Sequence, residues 1–204
     1  MSLVDNNSQR ILTPNYLYQG HLWTVISNYQ IRKDIMNCIF TVLREFFERR
    51  SKLTAIRIEL HLKKWTANNA PVREFFTKLR RQLFKQYGKI YHRYIWAREQ
   101  NQAKAQHYHV VLLVDGQFVK HPSIIEKIAR SIWIYGYFCL PPRPFYHIHR
   151  DQIGRFCALV YRLSYLAKAE TKGNRPKKVR DYGFDATGGS ITGARQPSAQ
   201  KITP

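Results

Sequence analysis

A chain of 204 residues, 44% hydrophobic and 14% aromatic, can bury one sizeable core, which excludes a disordered polycation. Its 34 Lys and Arg against 13 Asp and Glu give a formal net charge of +21, so a polyanionic partner is expected, nucleic acid ahead of a membrane surface or a structural role of ribosomal type. Three widely spaced cysteines in apolar surroundings, Cys38, Cys139 and Cys157, imply neither a zinc site nor a disulfide framework and are expected to be reduced core residues.

Residues 1–27 read as an N-terminal arm. The leading MSLVDNNSQR lacks the basic and then apolar pattern of a secretory leader, and TPNYLYQGHLWTV is expected to pack irregularly on the domain through Tyr16, Tyr18 and Trp23. No apolar stretch reaches the length of a membrane span, so a soluble, cytoplasmic protein is expected. From Tyr29 to Arg50, Ile31, Ile35, Cys38, Val42 and Phe46 recur at helical spacing and predict an amphipathic helix. Leu53–Leu62 changes to a period of two, with Ile56, Ile58, Leu60 and Leu62 on one face. Its other face, Arg57, Glu59 and His61, is either solvated surface or the lining of a site that offers Glu59 or His61 as a ligand. Ala70-Pro71 opens a second helix on Val72, Phe76, Leu79, Leu83 and Tyr87, whose outer side carries Arg73, Lys78, Arg80, Arg81 and Lys85 as candidate contacts to a DNA backbone.

Ile90–Glu99 and the apolar run that starts at His107 read as a β-hairpin closed by the polar connector Gln100–Ala105, with a turn at Asp115-Gly116. Pro122–Tyr135 predicts a third helix; Tyr137–Ile148, broken by Pro141, Pro142 and Pro144, predicts an edge strand or a loop leading to a short strand. Ile153–Lys168 predicts a fourth helix. Beyond Glu170 the chain is punctuated by Gly and Pro; Lys172, Lys177 and Lys178 are further candidate nucleic-acid contacts, and residues 186–204 are expected to form a flexible basic tail. The elements together predict an α+β domain over residues 28–185.

The chemistry lies in Gln106–Asp115 (QHYHVVLLVD) and Tyr161–Lys168 (YRLSYLAK). Two residues apart in a strand, His107 and His109 share one face of a sheet, and hairpin pairing brings Glu99 close to His107. Glu99 is the first choice for a third metal ligand and Glu59 the alternative. A divalent ion held by two imidazoles and a carboxylate keeps open positions and can polarise a nonbridging phosphate oxygen. On a helix, Tyr161, Tyr165 and Lys168 lie on one side. Attack of a tyrosine on phosphorus expels the 3′ oxygen and leaves the strand on a 5′ phosphotyrosine, so resealing needs no ATP. Tyrosine has a reference pKa of about 10, and the metal or Lys168 would favour the phenolate. Each pattern alone is common: H-x-H in a strand is usually packing or surface, paired tyrosines on a helix are usually core, and His147 and His149 form a second such pair. Their combination in so basic a chain is specific.

The segments YIWAREQNQAKAQHYHVVLLVDG and LVYRLSYLAKAETKG resemble the replication-initiator family of filamentous phages (inovirus type) and their satellites, within the HUH endonuclease superfamily, over residues 30 to 185. The resemblance implies an antiparallel central sheet flanked by helices with the tyrosines on a C-terminal helix. It implies rolling-circle initiation by a site-specific nick that depends on Mg²⁺ or Mn²⁺. His107 and His109 fall on the metal pair, Tyr161 and Tyr165 on the nucleophiles, and Lys168 on the helix lysine. Single-stranded or hairpin origin DNA is the implied partner, held by the basic helix and stacked on Trp96 or Tyr94; with no phosphate-binding P-loop in the chain, unwinding would fall to a host helicase beside a host polymerase. The family pattern R-S-F-G-x-S is replaced by Arg180-Asp181-Tyr182-Gly183-Phe184-Asp185. A two-tyrosine HUH transposase, a mobilisation relaxase and a non-catalytic DNA- or RNA-binding regulator are the competing functions.

Overall fold

A computed structural model describes residues 10–11, 15–100, 103–173 and 175–185, so the tail assigned to 186–204 lies outside the described residues. In chain order these form β1 (Arg10–Ile11), β2 (Asn15–Tyr18), β3 (His21–Thr24), β4 (Ile31–Arg32), α1 (Lys33–Arg49), β5 (Lys52–Leu62), α2 (Ala70–Tyr87), β6 (His92–Glu99), β7 (His107–Asp115), α3 (Ser123–Ile132), β8 (Gly136–Cys139), β9 (Phe145–His149), α4 (Ile153–Leu163), a 3-10 turn (Ser164–Ala167) and β10 (Tyr182–Phe184). The fold is α+β with antiparallel sheets. Among the described residues no helix is long and apolar enough to cross a membrane.

The main sheet runs β10-β6-β7-β5, and the far edge of β5 is shared by β8 at one end and β9 at the other. Between them Pro141, Pro142 and Pro144 cannot donate to a ladder, so the edge is interrupted; Arg57 reaches across, its backbone N–H donating to the Pro144 carbonyl at 2.7 Å and its guanidinium to the Pro142 carbonyl at 3.1 Å. The alternation of β5 sorts two cores. Ile56, Ile58 and Leu60 pack with Val72, Phe76 and Leu79 of α2 and Ile125 of α3. Leu53 and Ala55, on the opposite face, pack with Ile35, Ile39 and Phe46 of α1 and Leu159 and Leu163 of α4. Further along that second face the residues turn polar, and there the candidate site lies.

Several expectations are corrected. The arm is not irregular over residues 15–24: β2 and β3 form a hairpin with Tyr16 opposite Trp23, and the turn residues Gln19 and Gly20, at φ 49° and 79°, have the left-handed backbone that a two-residue hairpin needs. Tyr18 stacks on Phe40 of α1 at 4.3 Å between ring centroids, so the hairpin docks through its aromatics. The first helix begins at Lys33, because Ile31 and Arg32 pair with β1. The fourth helix does not reach Lys168. At Ser164 the hydroxyl donates to the Tyr161 carbonyl at 2.7 Å and accepts the Ile26 N–H at 3.1 Å, and the chain tightens into the 3-10 turn. Lys168 is extended and bridged to Ile31. Of the cysteines only Cys38 is core; Cys139 is half-buried and Cys157 exposed.

Residues 180–185, where the resemblance leads one to expect R-S-F-G-x-S, are structural. Gly183 stands opposite Trp96, where an added Cβ would lie 2.7 Å from the indole. Asp185 closes the strand by accepting from Arg93 Nε at 2.8 Å, both side chains being buried.

Candidate active site

Strand register sets the site as two rows across the sheet. Glu99 of β6 stands opposite His107 of β7, His107 opposite His61 of β5, and His61 opposite Tyr137 of β8. One step along, Ala97, His109, Glu59 and Cys139 form the second row. Because side chains two apart on a strand share a face, all of these point to the side that α1 and α4 leave uncovered.

Glu99, His107 and His109 converge: their ligand atoms lie within 4.8 Å of one another. His107 Nε2 is 3.1 Å from His109 Nε2, and Glu99 Oε2 is 3.3 Å from His109 Nε2 and 3.9 Å from His107 Nε2. Adjacent ligands of an octahedral ion stand about 3 Å apart at bond lengths near 2.1 Å, so the donor set fits one face of a divalent cation's shell. Glu59 serves His109 from behind, with Oε1 3.4 Å from Nδ1. Lys172 donates to Glu99 Oε1 at 2.7 Å and to the Lys168 carbonyl at 2.9 Å.

The electrostatics suit cation capture. Burial opposes ionisation of Glu99, but hydrogen bonding to His109 and the Lys172 charge outweigh it and hold the carboxyl well below the usual range. Hydrogen bonding to His109 lowers Glu59 to about 2. Burial, with the charge of His109 beside it, lowers His107 to about 4 and keeps it neutral. Burial also disfavours charge on His109, yet its hydrogen bonds to Glu59 and Glu99 win and raise it. A metal ion bound at Nε2 would compete with a proton there.

Arg57, Glu59, Glu99, His109, Tyr165 and Lys168 line one cleft of about 240 Å³, walled by Pro141 and Pro142 at the interrupted edge of β5. Tyr165 is exposed, Tyr161 half-buried, and their ring centroids are 6.4 Å apart. Lys168 Nζ lies 4.0 Å from Glu99 Oε2 and 4.7 Å from the centroid of the Tyr29 ring. A larger cleft of about 440 Å³, lined by Tyr18, Trp23, Phe40 and Phe156, lies apart from these groups.

Three nucleic-acid candidates are corrected. Trp96 is buried at 7% exposure, edge-on to Tyr108, so its faces are not open to a base; Tyr94 is likewise stacked on Phe76 at 3.6 Å. The Lys172 side chain is 1% exposed and spends its charge on Glu99 rather than on phosphate. Lys177 and Lys178 are exposed. Arg73, Arg81 and Lys85 are exposed on α2, Arg80 is half-buried, and Lys78 pairs with Glu74 at 2.6 Å. Because α2 packs on the other face of the sheet, these cations stand across it from Glu99, His107 and His109. Sequence reasoning put Arg57 on a face that is either solvated or the lining of a site without giving it a role, and left Cys139 out. Arg57 was visible, one alternation from Glu59; Cys139 was not, since only the pairing of β8 with β5 brings it near.

No curated protein and no solved structure matches the chain. A family model described as the YagK/YfjJ C-terminal domain matches residues 18–130, a span that contains Glu99, His107 and His109 and ends before both tyrosines.

Proposed function

The chain belongs to the YagK/YfjJ C-terminal domain family, and we propose that it is a metal-dependent single-stranded DNA endonuclease and strand transferase of HUH type, with a palm-like sheet and its tyrosines at the end of a C-terminal helix. The observation that carries this reading is a two-imidazole and one-carboxylate set, two members of which, Glu99 and His109, line one cleft with an exposed tyrosine and a lysine. Initiation of rolling-circle replication in a bacterial cell, with host helicase and polymerase completing it, is the role this chemistry serves best, because a 5′ phosphotyrosine leaves a 3′ hydroxyl free for extension.

Glu99, His107 and His109 would hold Mg²⁺ or Mn²⁺, and imidazole donors favour Mn²⁺ of the two. When bound, the ion supplies Lewis acidity to a nonbridging oxygen of the scissile phosphate. Tyr165 Oη attacks phosphorus, the new O–P bond replacing the bond to the 3′ oxygen; the tyrosine gives up its proton and the 3′ oxygen takes one up to leave as a hydroxyl. Lys168 and Arg57, lining the same cleft, place positive charge beside the attacking oxygen and the phosphate. Tyr161 stands one turn away to take part in a second transfer.

The test is incubation with labelled single-stranded DNA from the chain's own replicon, with Mn²⁺ or with EDTA, read on a denaturing gel for wild type and a His107→Ala, His109→Ala variant. Cleavage that needs both Mn²⁺ and the histidines supports the reading; tight binding with no cut on any origin-derived strand sinks it.

A further inference from the structure

Beside the proposed catalytic cluster lies a second set of donors of different chemistry. Glu59 and Cys139 are direct partners across β5 and β8, and His61 follows two residues after Glu59 on the same face. The His61 ring is sandwiched between Tyr137, at 4.1 Å between centroids, and His107, at 4.9 Å, both nearly parallel to it, which fixes its rotamer. Its Nε2 therefore stays 3.6 Å from Glu59 Oε2 and 3.8 Å from Cys139 Sγ, while Sγ and Oε2 are 3.5 Å apart.

Those separations are close to the edges of a zinc tetrahedron. With bonds of about 2.3 Å to sulfur and about 2.0–2.1 Å to nitrogen or oxygen, neighbouring ligands stand about 3.6 Å apart when one is sulfur and about 3.3 Å when neither is. A thiolate and an imidazole beside one carboxylate form a softer donor set than Glu99, His107 and His109, and select a thiophilic ion. The side chains of Glu59 and His61 are about a fifth exposed, at 22% and 21%, so an ion can enter.

We propose that Glu59, His61 and Cys139 form a second metal site that takes Zn²⁺, with the fourth position left to water. The ion displaces the thiol proton of Cys139 and joins β5 to the short edge strand β8, which is otherwise held only over Gly136–Cys139. Zinc binding here does not depend on the endonuclease reading. Through Glu59, whose other oxygen faces His109, the two sites share a carboxylate.

The experiment uses the full chain, stripped of metal and kept reduced, with Co²⁺ as a spectroscopic probe and Zn²⁺ as competitor. Wild type should develop a thiolate-to-cobalt charge-transfer band in the near ultraviolet whose intensity corresponds to one thiolate-bound Co²⁺ per chain, whatever Co²⁺ the Glu99, His107 and His109 set also takes, and Zn²⁺ should abolish the band. Cys139→Ser and His61→Ala should lose the band while Cys157→Ser keeps it, and Cys139→Ser should still bind Mn²⁺. Absence of the band in wild type that is folded by circular dichroism, or its persistence in Cys139→Ser, would overturn the assignment; because wild type alone can fail the test, a misfolded variant cannot rescue it.

Discussion

Glu59 Oε1 lies 3.4 Å from His109 Nδ1, on the opposite side of the ring from the nitrogen that faces Glu99 and His107. One imidazole thus stands between two carboxylates with separate tasks. Glu99 shares the Nε2 side and belongs with the ligands, while Glu59 orients the ring. Which nitrogen each one meets sets the roles expected of them, Glu99 as the ligand and Glu59 as the partner behind the ring.

Glu99→Ala should therefore abolish Mn²⁺ binding in calorimetry, whereas Glu59→Gln should weaken it about tenfold, the usual cost of losing a partner behind a ligating histidine. The reverse order would make Glu59 the ligand.

Lys172→Met should destabilise the metal-free protein by about 3 kcal/mol in urea unfolding, since it leaves the carboxylate of Glu99 buried beside a missing cation. Saturating Mn²⁺ should recover part of the loss, because a bound ion supplies the missing charge and favours the folded state. An equal loss with and without Mn²⁺ would mean that the lysine acts only by packing.

Gly183→Ala should lower stability by about 1–3 kcal/mol in thermal or urea unfolding, because a Cβ there meets the Trp96 ring at 2.7 Å and pushes β10 off β6. No change on unfolding would show that the close approach is relaxed in solution.

Removing the exposed α2 cations together, as Arg73→Ala, Arg81→Ala and Lys85→Ala, should leave affinity for a short origin strand within about twofold and the salt slope nearly unchanged, since these groups stand across the sheet from the cleft. Arg57→Ala should lower that affinity about tenfold, the cost of one charge-assisted contact. Fluorescence anisotropy over a salt series measures both.

Local periodicity made β5, α2 and the β6–β7 hairpin legible, and with the hairpin came Glu99 opposite His107, because a short antiparallel connection fixes register. What escaped was long-range. Cys139 reads as a core residue until β8 is laid against β5, and nothing in the Pro-broken stretch announces that two strands share one edge. The end of α4 at Leu163 depends on Ser164 accepting from Ile26, far away in sequence. Trp96 looked like a base platform because aromatic content does not say which face of a strand is covered; Gly183 and Tyr108 cover it.

The most direct test of the central claim is the covalent adduct. Wild type, Tyr165→Phe and Tyr161→Phe are incubated with origin-derived single-stranded DNA and Mn²⁺, and the protein–DNA band is counted on a denaturing gel, with the linked residue identified by mass spectrometry. Because Tyr165 lines the cleft with Glu99, His109 and Lys168, Tyr165→Phe should form no first adduct while Tyr161→Phe still does. An adduct on neither tyrosine in wild type, with cleavage absent, would contradict the account.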